Sequence, residues 1–143
     1  IIKRRYSFYM RYGDLYRVLE FDEDSIKKID NKISNLNLPM KKSVLHDDES
    51  LGRDSTIRIS KQAWIKDVSF SKSFFSIGQK INELCQWNFD IKSIEAIQFG
   101  IYGEGGRYDW HIDQQLNPFN GSVRKISMTL FMNDPDEYDG GEF

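Results

Sequence analysis

Residues 97–143 read IQFGIYGEGGRYDWHIDQQLNPFNGSVRKISMTLFMNDPDEYDGGEF. The stretch divides into an apolar β-rich run, a glycine-rich turn at 103–106, and a strand that ends in His111-Ile112-Asp113. A loop, a long alternating run and an acidic turn closing on Gly140-Gly141 complete it. Side chains alternate between the two faces of a strand, so His111 and Asp113 are expected on one face. One imidazole and one carboxylate are two of the three ligands of the 2-His-1-carboxylate triad, which holds non-haem Fe(II) and keeps other positions open. His111 and Asp113 are therefore the candidate metal ligands, and the third is missing from the pattern.

Working outward, 93–102 (SIEAIQFGIY) is apolar on both faces and is expected as a central strand. The strand over 108–113 carries the ligand pair, and 114–121 holds the turn signals Asn117-Pro118 and Asn120-Gly121. Within 123–133, Ile126, Met128, Leu130 and Met132 share one parity and would pack on flanking helices. Val123, Lys125, Ser127, Thr129 and Phe131 share the other and would line a pocket. Upstream, 15–21 (LYRVLEF) reads as a short strand. Asp22 is the expected N-cap of an amphipathic helix over 23–36, with Ile26, Ile29, Ile33 and Leu36 on one face and Pro39 beyond its end. Strands are expected next at 41–46 and 56–60, separated by the polar loop DDESLGRDS. A second helix is expected at 72–87 from Phe74, Ile77, Ile81, Leu84 and Cys85, and Gly78 weakens it by about 1 kcal/mol against Ala. Helices and edge strands first, then a run of strands, give an α+β chain with helices covering an antiparallel sheet.

At 143 residues the chain is expected to be a single domain, 1–143. No apolar run approaches the ~20 residues of a membrane helix, and no signal peptide is evident. One cysteine, Cys85, cannot form an internal disulfide, which sets a cytoplasmic, reducing location as the default. The net charge of −2 argues against a nucleic-acid partner, although basic residues crowd the start and acidic ones the end. His46-Asp47-Asp48 also fits His-x-Asp, yet it opens a loop of acids and reads as exposed turn. The glycine-rich turn precedes a strand and lacks Lys-Ser/Thr, so it is not a phosphate loop. One Cys and two His are too few for structural zinc.

The ordered string Tyr102-Gly103-x-Gly105-Gly106-x-Tyr108-x-x-His111-x-Asp113, Arg124-x-x-Ser127 and Asp134-Pro135-x-x-Tyr138-x-Gly140-Gly141-Glu142 resembles the prolyl-4-hydroxylase-like Fe(II)/2-oxoglutarate dioxygenases, above all their PKHD-type hydroxylase branch. The likeness covers about residues 94–143. It implies a double-stranded β-helix (jelly-roll), with 1–92 as helical flank and edge strands and 93–143 as the first half of the core. It implies His111 and Asp113 as iron ligands, and Tyr102, Thr129 and Phe131 on the 2-oxoglutarate side. Phe131 stands where a hydrogen-bonding residue is often found. Arg107, Tyr108 and Arg124 would edge the substrate mouth.

The cofactors implied are Fe(II), 2-oxoglutarate and O2, with ascorbate as a possible accessory reductant. The partner implied is a protein, peptide or amino-acid substrate, with a prolyl residue the family-level expectation. The family's distal histidine and its Arg or Lys for 2-oxoglutarate fall on later strands, after Phe143, so the chain is expected to be part of a longer protein. Three other readings stay open: a nucleic-acid demethylase on the same scaffold, a non-catalytic jelly-roll binding protein, and a cupin-type metal enzyme without 2-oxoglutarate.

Overall fold

The computed structural model describes residues 16–46, 56–111, 113 and 121–141. Helix α1 (Glu23–Asn35) starts where an acid can cap it: Asp22 accepts from the Ser25 backbone N–H at 2.7 Å, and Glu23 and Asp24 occupy the first turn. Helix α2 (Val68–Leu84) begins four residues before the expected start at 72. Its cap is Asp67, whose carboxylate accepts from the Phe70 N–H at 2.9 Å, and the helix ends with Cys85 as its C-cap. Lys32 of α1 reaches Asp67 at 3.2 Å and lies over the Phe70 ring, so the two helices are tied at that cap. No helix among the described residues is long and apolar enough to cross a membrane.

Four strands form one antiparallel sheet: β1 (Lys41–His46), β2 (Thr56–Ile65), β3 (Ile97–Ile101) and β4 (Arg107–Tyr108). The architecture is α+β, with two helices on an open sheet. β2 is the central strand, paired with β1 on one edge and with β3 and β4 on the other. The residues expected as a central strand at 93–102 therefore supply a shorter one, β3, on the outer side of β2. β2 also runs five residues past the expected end at Ser60, because Lys61 through Ile65 pair with β3.

The alternation of β2 sorts the two faces. Ala63 and Ile65 turn to the helices, where Ile33, Ile65 and Phe70 form the core with Ile29, Leu36, Phe74, Ile97, Phe99 and Met132 packed around them. Arg58, Ser60 and Gln62 have the opposite parity and are bonded along the other face: Arg58 Nε to Ser60 Oγ at 3.0 Å, and Gln62 Nε2 to Ser43 Oγ at 2.8 Å. Ser43, Arg58 and Ser60 are nonetheless buried. One sheet face thus carries the core and the other a buried polar strip.

Three expected strands take another form. Residues 16–21 join no ladder and leave Tyr16 and Val18 exposed, since the alternation has no partner edge to pair with among the described residues. Arg17 of that segment donates to Cys85 Sγ at 3.3 Å. Residues 123–133 likewise form no strand; only an isolated bridge is present, at Ser122. Of their apolar parity, Met132 packs on the core, and Met128 lies beside Gly78 of α2 while remaining exposed. The ligand-bearing strand stops at Tyr108, before His111. The loop expected at 47–55 and the turn signals at 114–120 lie outside the described residues. The acidic turn is present as a short 3-10 helix, Pro135–Glu137, whose cap Asp134 accepts from the Asp136 N–H at 3.0 Å.

Candidate metal centre

The glycine-rich segment does not reverse the chain as a hairpin would. Lys61 pairs with Ile101 and Ile59 pairs with Arg107, so residues 102–106 all stand opposite the single residue Ser60. β3 and β4 are one strand interrupted by an excursion, a large relative of the β-bulge that re-aims the chain beyond it. The Gly106 N–H donates to the Gly103 carbonyl at 2.7 Å, and Gly105 adopts φ +69°, as the third position of a type II turn requires. A Cβ on Gly106 would lie 2.7 Å from the Gly103 oxygen, so that position is closed to any side chain. The excursion returns Tyr108 to the ladder opposite Arg58, on the polar face.

From Tyr108 the chain folds back on itself. The His111 ring stacks on the Tyr108 ring, with centroids 3.7 Å apart and planes 15° from parallel. His111 Nδ1 lies 2.8 Å from the Asp109 carbonyl, which fixes the proton on Nδ1 in the neutral ring. Nε2 then carries a lone pair, and it lies 3.1 Å from Asp113 Oδ1, which carries another. Two acceptors in that contact need a proton or a cation between them. Two ligands on one octahedral cation, each about 2.1 Å away and at roughly right angles, would stand about 3 Å apart. The donor set therefore fits a divalent metal. The pair meets because the chain turns after β4, and strand alternation has no part in it.

Asp113 is held on two more sides. The Ser127 hydroxyl, ahead of His111 and Arg124, keeps its carboxyl below the usual range. Arg124 donates from Nη1 to the Asp113 carbonyl and stands 3.9 Å from its carboxylate. The same guanidinium grips Glu95, which stabilises both charges and lowers the Glu95 carboxyl. Among the described residues no third His, Cys, Asp or Glu joins His111 and Asp113.

The other expected site residues fall into two groups. Tyr108 and Arg124 touch the pair, at His111 and Asp113, and Tyr102 stands one step further out: the Arg58 guanidinium lies 4.7 Å from the Tyr108 ring and 5.9 Å from the Tyr102 ring, and burial pushes the Tyr108 phenol up. Arg107 pairs with Ile59, on the parity opposite to Tyr108, and sits 4.0 Å from Asp109. Thr129 and Phe131 are exposed. His46 ends β1, across β2 from β4. The spacing argument missed Arg58, Ser60, Gln98 and Glu95. Arg58 and Ser60 could have been found in TIRISKQAWI, where a polar parity interrupts an otherwise apolar strand.

Against known proteins, the chain is 48% identical over 48 residues to a PKHD-type hydroxylase of Rhizorhabdus wittichii, covering 31% of this chain and 21% of the relative. It is 39% identical over 61 residues to one of Picosynechococcus, 43% of this chain and 27% of the relative. It is 42% identical over 48 residues to the PKHD-type hydroxylase PiuC of Pseudomonas aeruginosa, again 31% and 21%. Over these stretches the chain is similar to PKHD-type hydroxylases. It spans about a fifth to a quarter of the length of the curated relatives it matches. No family model matches the chain, and no solved structure matches it.

Proposed function

We propose that this chain carries the metal-binding segment of an Fe(II)/2-oxoglutarate-dependent hydroxylase acting on a protein, peptide or amino-acid C–H bond, within a jelly-roll core. The observation that carries the reading is the 3.1 Å approach of His111 Nε2 to Asp113 Oδ1, with His111 Nδ1 held on the Asp109 carbonyl. The names of the relatives support the reaction class.

In this reading His111 and Asp113 hold the metal, and a third ligand and a cationic anchor for 2-oxoglutarate complete the site. Fe(II) with 2-oxoglutarate and O2 supplies the oxidising power that hydroxylates an unactivated C–H bond, with succinate and CO2 as co-products. The Asp109 carbonyl keeps the His111 proton on Nδ1, so Nε2 is free to bind. Ser127 and Arg124 hold the Asp113 carboxylate ionised and in place. Tyr102, Thr129 and Phe131 are assigned to the co-substrate side, and Arg107, Tyr108 and Arg124 to the substrate mouth.

The test is Fe(II)-dependent succinate formation by the full-length protein, alongside binding of Co(II) as a spectroscopic probe. His111→Ala or Asp113→Ala should abolish both, and His46→Ala should abolish neither. Undiminished Co(II) binding by His111→Ala would overturn the assignment. Metal binding without succinate would point to the cupin-type reading.

A further inference from the structure

Arg58 is the most deeply buried charged side chain described, with 6% of its surface exposed, and no carboxylate pairs with it among the described residues. Buried charges are normally met by an opposite charge. This one is met by neutral groups: Ser60 Oγ at 3.0 Å, Gln98 Oε1 at 2.8 Å, and the faces of two tyrosines. Its nearer ring, Tyr108 at 4.7 Å, is the ring on which His111 stacks at 3.7 Å. Guanidinium, phenol and imidazole therefore form one column, rooted in the central strand of the sheet and ending on a metal-ligand candidate.

We infer that Arg58 and Tyr108 are positioning residues for His111, holding the plane of its ring so that Nε2 faces Asp113. The inference rests on the reading of His111 as a metal ligand. Two constraints are needed to fix an imidazole. The hydrogen bond from Nδ1 to Asp109 sets one point of the ring but leaves it free to swing about that bond. The stack on Tyr108 removes that swing. Tyr108 itself sits on the last residue of a two-residue strand, where the ladder ends, and its ring needs a second support. Arg58 supplies it from β2, pinned by two hydrogen bonds that leave the guanidinium lying toward the ring.

The test is Co(II) affinity of the full-length protein in four variants, with ring-current shifts of the His111 ring protons in the metal-free state as a second readout. Tyr108→Leu removes the platform and should weaken Co(II) binding by about 10- to 100-fold, the usual effect of losing a group that orients a metal ligand. Tyr108→Phe keeps the ring and should stay within about 3-fold of wild type. Arg58→Met keeps volume and loses charge. It should weaken Co(II) binding and reduce the upfield shift that Tyr108 imposes on His111, whereas Arg58→Lys should recover part of both.

Wild-type affinity in Tyr108→Leu, with binding abolished in His111→Ala, would overturn the column and leave the metal site standing. Equal loss in Tyr108→Phe and Tyr108→Leu would overturn it too, because the hydroxyl and not the ring would then matter. If Tyr108→Leu fails to fold, an unchanged His111 shift and affinity in Arg58→Met would be decisive against it. Binding retained in His111→Ala would instead remove the metal reading itself.

Discussion

Arg124 holds Glu95 with two parallel hydrogen bonds, Nε to Oε1 at 2.9 Å and Nη2 to Oε2 at 2.6 Å. This fork-to-fork pairing fixes the guanidinium plane and directs its remaining Nη1 edge at Asp113. Both side chains are partly exposed, so the pair adds little to global stability, on the order of 0–1 kcal/mol. Its effect is local. Glu95→Gln should leave the thermal midpoint nearly unchanged yet weaken divalent-metal binding by about 10-fold, the low end of the range for groups that orient a ligand. Calorimetric titration with Co(II) alongside thermal melts separates the two. A shift in the midpoint without loss of affinity would contradict the assignment.

The glycine excursion predicts a sharp contrast between neighbours. Gly106→Ala would put a Cβ 2.7 Å from the Gly103 oxygen and 3.0 Å from its nitrogen, so the turn must open. A cost of about 1–3 kcal/mol is expected, with displacement of Tyr108 and weaker metal binding. At Gly103 the same Cβ meets nothing within 4 Å, and Gly103→Ala should stay within about 0.5 kcal/mol of wild type. Urea melts of the two variants provide the comparison, and equal effects would refute the turn geometry.

The cap of α2 predicts an acid transition. The Ser69 hydroxyl, then the Phe70 N–H and Lys32, hold the Asp67 carboxyl down at about 2, against an ordinary 3.8. A carboxylate depressed in the folded state contributes stability above its unfolded pKa and loses it as the pH falls through the folded value. The contribution of Asp67 should therefore be complete above about pH 4 and fade between there and about pH 2. Asn caps a helix without titrating, so Asp67→Asn should flatten the pH dependence in that window. Stability measured from pH 5 to pH 2 in both proteins tests this, and identical profiles would rule out the cap as the titrating group.

The core predicts where stability resides. Phe70 is 5% exposed, touches Ile33 and Ile65, and stacks on Phe74 with centroids 6.4 Å apart. Phe70→Ala should cost about 3–5 kcal/mol, because it removes a buried ring and leaves a cavity among Ile33, Ile65 and Phe74. Trp64 lies on the polar parity of β2 with 52% of its surface exposed, and Trp64→Ala should cost far less, about 1 kcal/mol or below. Chemical denaturation of both variants measures the difference.

Local chemistry carried most of the framework. The Asp22 cap, the Ile26-Ile29-Ile33-Leu36 face and the alternation at 56–60 in β2 depend on neighbours a few residues apart, and short-range periodicity encodes such neighbours directly. His111 and Asp113 were visible for the same reason: their types and spacing are a local property. The sheet order was not. Alternation at 16–21 and 123–133 says that a segment could be a strand, but a strand exists only where another backbone completes its hydrogen bonds, and pairing is long-range.

The site shows the division most clearly. Spacing placed His111 and Asp113 on one strand face, whereas they meet through a fold-back after β4, pinned by Asp109 and stacked on Tyr108. Arg58 lies 53 positions from His111 and Glu95 lies 29 positions from Arg124, distances at which no sequence pattern reports a contact. The residue types able to bind a metal are written in the chain. The orientation of those side chains comes from which distant groups the central strand and the 102–106 excursion bring beside them, and that depends on packing the whole sheet.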